Sequence, residues 1–320
     1  MAATLALAER GQGRTGNNPS VGCIIVRDSR IVGRGWTQLD GRPHAEAVAL
    51  AQAGELAAGA TVYCSLEPCA HASLRGPSCA DSLIAASPAR VVVAIEDPDP
   101  RTAGQGNARL REANIAVETD VMAPEARVSL AGFLTRMARR RPHVTLKLAT
   151  SLDGAIAMAD GSSRWITGDA ARAHAHVERA RCDAILVGAG TLRADNPRLD
   201  VRIEGLEDRS PRRIMLGSGD APAGWEVIRA PGEIMELDCN RLLVEGGAMT
   251  ASAFLAAGLV DRLLIYRAPI LIGGGKPCIG DIGLSDLGAA HGRWQLTDER
   301  RLGPNDLEGD RLEVYQALAS

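Results

Sequence analysis

The sequence predicts an α/β protein built in two units, and three observations carry that expectation. Its 320 residues exceed what a single hydrophobic core usually serves. Short apolar runs rich in β-branched residues alternate with helix-like segments, the pattern of strands covered by helices. That alternation occurs twice, before and after a helical stretch over 124–142 that closes in an arginine run. The expected division is a first unit at 1–123, a linker helix at 124–142 and a second unit at 143–320.

The elements follow in chain order. Residues 1–10 read as a helix stopped at Gly11, followed by a polar loop to Ser20. VGCIIV (21–26) is a strand, and Asp28-Ser29-Arg30 turns the chain into a second strand ending at Trp36. The next helix starts near Pro43 or His44, with Pro43 suited to its first turn and Gly54 to its stop. A strand over 61–66, a helix from Cys79 through Ile84, a strand over 89–95, a helix near 106–113 and a short strand over 115–118 complete the series. In the second unit, strands are expected at 144–150, 184–187, 213–216, 241–244 and 263–266, with helices at 169–181 and 250–257.

Composition narrows the function. At 46% hydrophobic and 23% charged the chain reads as ordinary soluble protein. Aromatics at 3% and a net charge of −3 argue against a stacking platform or a general field for nucleic acid. Arg136, Arg139, Arg140 and Arg141 read as a solvated face. No run is long and apolar enough for a membrane span, and the start is too short and too acidic for a secretory signal. Seven scattered cysteines in a long chain suit free thiols in a reducing cytoplasm, some of them available as metal ligands.

Three elements converge on a metal. His44-Ala45-Glu46 opens a helix, and Cys69 and Cys79 stand in Glu67-Pro68-Cys69 and Pro77-Ser78-Cys79 just after a strand. A catalytic zinc site takes three protein ligands and leaves one position for water, a count that His44, Cys69 and Cys79 meet. Glu46, two residues from a ligand, is placed to move a proton without ligating. Cys64 is the one candidate fourth ligand, and its place in a strand favours the core.

The arrangement resembles the cytidine/deoxycytidylate deaminase superfamily, with its H-x-E, P-C and second Cys. Nine residues separate Cys69 from Cys79, where many members have two. With Asn18-Pro19-Ser20-Val21-Gly22-Cys23, Leu66-Glu67-Pro68-Cys69-Ala70-His71 and Asp97-Pro98-Asp99-Pro100, that interval resembles the deaminase half of the bifunctional riboflavin-biosynthesis deaminase/reductase family. The resemblance implies that Asn18, His71, Asp97 and Asp99 meet the pyrimidine or its phosphoribosyl group. From chemistry alone, His71 and Arg75 are suitable donors to a phosphate or ring carbonyl. This chain has one more residue between its cysteines than the family commonly does, and Asp99 where Asn is frequent.

In the second unit no G-x-G-x-x-G follows a strand. Leu243-Val244-Glu245-Gly246-Gly247 runs from a strand through glycines to a helix, where backbone N–H groups suit a phosphate. On that motif alone a tight β–α turn is the simpler reading. Lys147-Leu-Ala149-Thr-Ser-Leu-Asp153-Gly154, Ser163-Arg-Trp165-Ile166-Thr167, Val187-Gly188 through Asp195-Asn-Pro197, and Val244-Glu245-Gly246-Gly247 resemble the reductase half of the same family. That half is dihydrofolate-reductase-like and uses NADPH. The resemblance implies NADPH contacts at Ala149, Trp165, Thr191, Asp195, Ser218 and Gly247. It implies contacts to the phosphoribosylaminopyrimidine at Ser163, Arg179, Leu199, Arg202 and Glu245. Arg179 and Arg202 are natural phosphate clamps, though taken singly each reads as a surface charge. His174 and His176, two apart on a helix, face different ways and are not expected to share a metal. Asp220 to Asn240 is short and rich in breakers where the family usually carries another strand and helix, and Gly217 stands where Asp is common.

The expected whole is a cytidine-deaminase-like α/β/α sandwich followed by a dihydrofolate-reductase-like domain. Its expected chemistry is zinc-dependent deamination of the diaminopyrimidine ribosyl phosphate, then NADPH-dependent hydride transfer to the ribose C1 in its open imine form. The resemblance also implies a homodimer. Two other readings keep the zinc: a deaminase with an impaired reductase-like half, and a tRNA adenosine deaminase. The wide cysteine interval, the acidic pI and the reductase-like half count against the last. A zinc-stabilised binding protein would normally close its site with a fourth ligand, and none is evident.

Overall fold

The computed structural model describes residues 1–71, 76–303 and 309–318, so Arg75 lies outside the described residues. The chain separates into two compact units, Met1–Arg140 and Arg141–Ser320.

The first unit is a five-stranded sheet clothed by helices. In chain order its described elements are α1 (Ala2–Ala8), β1 (Gly22–Arg27), β2 (Arg30–Trp36), α2 (Ala45–Ala53), β3 (Thr61–Cys64), α3 (Cys79–Ala86), β4 (Arg90–Val93), α4 (Gln105–Glu112), β5 (Ala116–Glu118), α5 (Ala123–Ser129) and α6 (Ala131–Arg139). The sheet order is β2-β1-β3-β4-β5, antiparallel across β2-β1-β3 and parallel across β3-β4-β5. β1 and β4 lie in its interior, which is why they read as unbroken apolar runs. α2 lies directly on β2: a Cβ at Gly35 would stand 2.1 Å from the Ala45 carbonyl oxygen, and one at Gly33 2.3 Å from that of Ala49. Only glycine on the strand, facing alanines on the helix, permits that approach.

Two expectations are corrected. α2 begins at Ala45; His44 stays extended at the N-cap position and Pro43 precedes it, outside the first turn. Residues 124–142 form no free-standing linker helix. They form α5 and α6, and Ala126, Leu130 and Phe133 are buried in the first core.

The second unit holds an eight-stranded mixed sheet. Its described elements are β6 (His143–Thr150), β7 (Ala155–Ala157), α7 (Asp169–Ala180), β8 (Ala184–Gly188), α8 (Ala189–Asp195), β9 (Arg212–Leu216), β10 (Glu226–Ile228), β11 (Arg241–Val244), α9 (Ala248–Ala256), β12 (Arg262–Arg267), β13 (Lys276–Pro277), β14 (Trp294–Leu302) and β15 (Asp310–Ala317). The order is β10-β9-β8-β11-β6-β12-β15-β14; all neighbours are parallel up to β12, and β15 and β14 are antiparallel additions. β7 and β13 make a small separate pair. The core centres on Phe254, Leu146, Leu186, Leu242 and Val244.

The stretch expected to be trimmed keeps its strand. β10 pairs in parallel with β9, and a 3-10 turn over Pro231–Glu236 stands in for the helix. That turn places Ile234 in the core, with Leu237 and Cys239 beside it, so the short connection still covers its side of the sheet. Gly217 has φ 133°, in the left-handed half of the map where an aspartate is strained.

Candidate active sites

In the first unit the metal-ligating set assembles from two helix starts and one irregular segment. His44 caps α2. Cys79 opens α3, whose N-cap Ser78 accepts the Asp81 N–H at 3.1 Å. Cys69 follows β3 by way of Glu67-Pro68. His44 Nδ1 lies 3.2 Å from Cys79 Sγ and 3.6 Å from Cys69 Sγ, and the three donor atoms all fall within 4.8 Å of one another. A tetrahedral zinc with ordinary bond lengths sets N···S near about 3.6 Å and S···S near about 3.8 Å, so this donor set fits one. No other such cluster of metal-ligating side chains occurs among the described residues. Cys64 is not part of it; it faces Cys23 across β1 and β3, Sγ to Sγ 3.9 Å, in the core.

The electrostatics suit a cation. Hydrogen bonds from Cys79, then from His44 and the Cys79 backbone, outweigh burial and hold the Cys69 thiol down to about 4. Cys79 shares its proton with Cys69 and is pushed well up by that bond and by burial. The hydrogen bond with Cys69 raises His44. Glu46, in the first turn of α2 and 3% exposed, is raised chiefly by burial. A carboxyl held towards neutrality beside a metal site is suited to taking and returning a proton.

The neighbouring loop after β4 carries Asp97 and Asp99. Burial, reinforced by the Asp99 and Glu67 charges, pushes Asp97 up to about 6. Asp99 is held down by Arg101, whose Nε lies 3.0 Å from its carboxylate. His71 Nδ1 is 3.5 Å from Thr102 Oγ1. Asn18 donates its amide to the Thr15 carbonyl at 3.1 Å and packs on Gly41, where a Cβ would stand 2.1 Å from Asn18 Nδ2. In the sequence Glu67 stands only as the first residue of Glu67-Pro68-Cys69. It is 2% exposed and accepts three backbone N–H groups from 97–107. Its one mark in the sequence is to be the sole charged residue of 61–70, which says nothing of its partners.

In the second unit, the residues expected at NADPH lie mostly beyond the carboxyl ends of adjacent parallel strands. Ala149 is near the end of β6, Thr191 and Asp195 are in α8 after β8, Ser218 follows β9 and Gly247 follows β11. In open α/β sheets that edge is where ligands bind. Ser218 lines a cavity of about 440 Å³ with Leu192, Arg193, Met215, Gly219 and Pro222. Thr191 Oγ1 accepts the Gly247 N–H at 3.3 Å, joining two of the strand ends. Gly188 and Gly246 are needed because a Cβ on either would strike Thr250 at about 2.5 Å or closer. These residues fit a dinucleotide along the strand ends. Trp165 is 66% exposed with the Arg172 guanidinium 4.7 Å over its ring, and Asp195 is exposed beside Arg164.

The residues expected at the substrate divide. Arg179 and Glu245 come together as a bidentate pair, Nε–Oε1 2.7 Å and Nη2–Oε2 2.9 Å, with Lys147 3.7 Å from the same carboxylate. Burial opposes the Glu245 charge, but Lys147 and Arg179 hold it at about 2. Arg202 pairs with Asp200 at 2.8 Å. Leu199 turns its side chain into the core, 4% exposed, so only its backbone is available to a ligand. Ser163 is half-buried. His174 and His176 part as expected, His174 lying 2.8 Å from the Tyr266 hydroxyl and His176 against Arg202.

Comparison with known proteins matches both units. Residues 1–95 match the cytidine and deoxycytidylate deaminase zinc-binding region, and residues 142–229 and 232–305 match the RibD C-terminal domain. The riboflavin biosynthesis protein RibD of Escherichia coli (strain K12) is 39% identical over 355 residues, covering 95% of this chain and 96% of that protein. Its counterpart in Mycobacterium tuberculosis (strain ATCC 25618 / H37Rv) is 41% identical over 311 residues, covering 92% and 91%. The solved structure of Acinetobacter baumannii RibD, form 1, superposes with a TM-score of 0.88 at 34% identity, covering 100% of this chain and 98% of that one. A Thermotoga maritima structure described as a diaminohydroxyphosphoribosylaminopyrimidine deaminase/5-amino-6-(5-phosphoribosylamino)uracil reductase gives 0.86 at 30% identity, covering 99% and 97%.

Proposed function

The chain belongs to the RibD family of riboflavin biosynthesis, and on that premise we propose how its own residues divide the work. It is a bifunctional enzyme, a zinc-dependent deaminase joined to an NADPH-dependent reductase. We assign deamination to 1–123 and reduction to 143–320, with α5 and α6 packed on the first core.

His44, Cys69 and Cys79 hold the zinc. When bound, it supplies a Lewis acid that makes water acidic enough to attack at neutral pH. Glu46 takes that water's proton on a carboxylate oxygen and returns it to the departing amino nitrogen, a role its raised pKa suits. Asn18, His71, Asp97 and Asp99 orient the pyrimidine and its phosphoribosyl group. The convergence of two thiols and an imidazole within 4.8 Å supports this reading most directly.

In the second unit, Ala149, Trp165, Thr191, Asp195, Ser218 and Gly247 bind NADPH, which supplies the hydride. Ser163, Arg179, Leu199, Arg202 and Glu245 bind 5-amino-6-(5-phosphoribosylamino)uracil, Leu199 through its backbone. The Arg179–Glu245 pair keeps a rigid, charged floor beside the strand ends, and Arg202 is free of deep packing and accessible to a phosphate. The working form in this proposal is a cytoplasmic homodimer. Exposed Leu152, Ile270 and Leu271 on the second unit offer an apolar surface for it, and among the described residues no helix is long and apolar enough to cross a membrane.

The test incubates purified protein with the diaminopyrimidine ribosyl phosphate, with and without NADPH, and follows product mass. Loss of the amino group is expected without NADPH, and gain of two hydrogens only with it. Undiminished deamination by Glu46→Ala would overturn the assignment of the proton carrier.

A further inference from the structure

Glu67 stands two residues before Cys69, and its side chain is almost wholly buried. A carboxylate so placed is tolerated only where hydrogen bonds replace water. Glu67 Oε2 accepts the Asp97 N–H at 3.2 Å and the Gly104 N–H at 3.0 Å, and Oε1 accepts the Asn107 N–H at 2.9 Å. Gly104 is the N-cap of α4 and Asn107 lies in its first turn. The carboxylate therefore caps that helix from another part of the chain, at the end where a negative charge is favoured. The same helix start is pressed onto the residue after Glu67: a Cβ at Gly106 would stand 2.0 Å from the Pro68 carbonyl oxygen. The stretch held this way carries Asp97 and Asp99, and the Asp97 carboxylate in turn accepts the Asp99 N–H at 2.9 Å.

We propose that Glu67 is a positioning residue for deamination, holding 97–107, and with it Asp97 and Asp99, in register with the loop that bears Cys69. The inference rests on the assignment of Asp97 and Asp99 to the substrate. Glu67 touches none of the reacting atoms. Without its clamp, the 97–107 stretch leaves its place beside the substrate while His44, Glu46 and Cys79, held by α2 and α3, keep theirs. Substrate binding then weakens more than the chemical step.

The test compares wild type, E67Q and E67D as full-length, zinc-loaded protein. Glutamine keeps the shape but sets an NH2 group against a backbone donor, so one side of the clamp opens; aspartate keeps the charge one methylene short. For E67Q, KM for the diaminopyrimidine ribosyl phosphate is expected to rise about ten- to hundredfold, the scale of one or two lost charge-assisted bonds. Its kcat is expected to stay within about threefold, the split that separates lost binding from lost chemistry. Zinc content is unchanged, and amide hydrogen exchange quickens over 97–107 alone. E67D lies between wild type and E67Q, and decides the same ordering of KM should E67Q not accumulate as folded protein. A KM within about twofold of wild type overturns the proposal, as does exchange that quickens across the whole unit. Lost zinc or lost kcat with KM unchanged also overturns it. If the wild type itself does not deaminate, the proposed function fails, while the exchange pattern still judges the clamp.

Discussion

Substitution of Arg179 by methionine leaves a buried carboxylate without its principal partner. Both Glu245 oxygens are bonded to the Arg179 guanidinium, the Glu245 side chain is 8% exposed, and Lys147 at 3.7 Å is its other cation. Glu245 is held at about 2 against an ordinary 4.5. That depression corresponds to about 3 kcal/mol of folded stability at neutral pH. Because the folded value is the lower one, this stability is complete above 4.5 and is lost as pH falls from there through 2. Breaking the pair by removing one member costs about 3–5 kcal/mol, since the carboxylate left behind keeps its desolvation. For a unit the size of Arg141–Ser320 that lowers Tm by about 6–20 °C. Calorimetric melts of R179M and wild type across acid and neutral pH should show the gap widest at neutral pH and closing on acidification. The double variant R179M/E245L should recover most of the loss, because neither buried charge remains. A neutral-pH gap under about 1 kcal/mol, a gap indifferent to pH, or a double variant no better than the single would refute the reasoning.

Three other outcomes follow from the first unit. Glu46→Gln should cut kcat for deamination by about 10²–10⁴-fold with zinc content intact, read by product mass and metal analysis. Cys79→Ser should lower bound zinc and abolish deamination, while NADPH-dependent reduction of the aminouracil substrate by the same protein stays near wild type; equal loss of both activities would count against independent sites. Gly35→Ala should destabilise the first unit by about 1–3 kcal/mol, because the new methyl would meet the Ala45 carbonyl and the Ala49 amide, which are backbone and cannot swing aside. Thermal melts together with kcat for deamination check it, since α2 also carries Glu46.

The sequence was most legible where function is written into short spacing. His44 and Glu46 share one helix start, and Cys69 and Cys79 lie ten positions apart between β3 and the start of α3, so their convergence needed only the expected strand and helix around them. Glu67 was opaque because its partners are backbone amides some thirty to forty residues away, which no side-chain pattern records. Lys147 was likewise quoted without a role, as its place beside Glu245 depends on β6 and β11 lying side by side. β14 escaped because an edge strand of the sequence Trp-Gln-Leu-Thr-Asp-Glu-Arg-Arg-Leu shows almost no buried face and guards its open side with charge. β10 was hidden by brevity among prolines and glycines. The stop of α2 at Gly54 was readable, but its start was not. His44 must stay extended to point its ring at two thiols, and tertiary demand overrode the local preference for Pro43 in a first turn.

The position of β15 sets an order of assembly during synthesis. Residues 310–317 enter the second sheet between β12 and β14, so until they have left the ribosome β14 has no partner and β12 has only β6. The first unit has no such wait, since every strand of its sheet lies within residues 22–118. Growing from the N-terminus, the chain finishes its deaminase-type half while much of the other is still being translated. Throughout that interval β12 has an unpaired edge on a nascent polypeptide. Ribosomal stalling before residue 310 would therefore release a chain with one finished half and one open sheet, a substrate for chaperones and proteases.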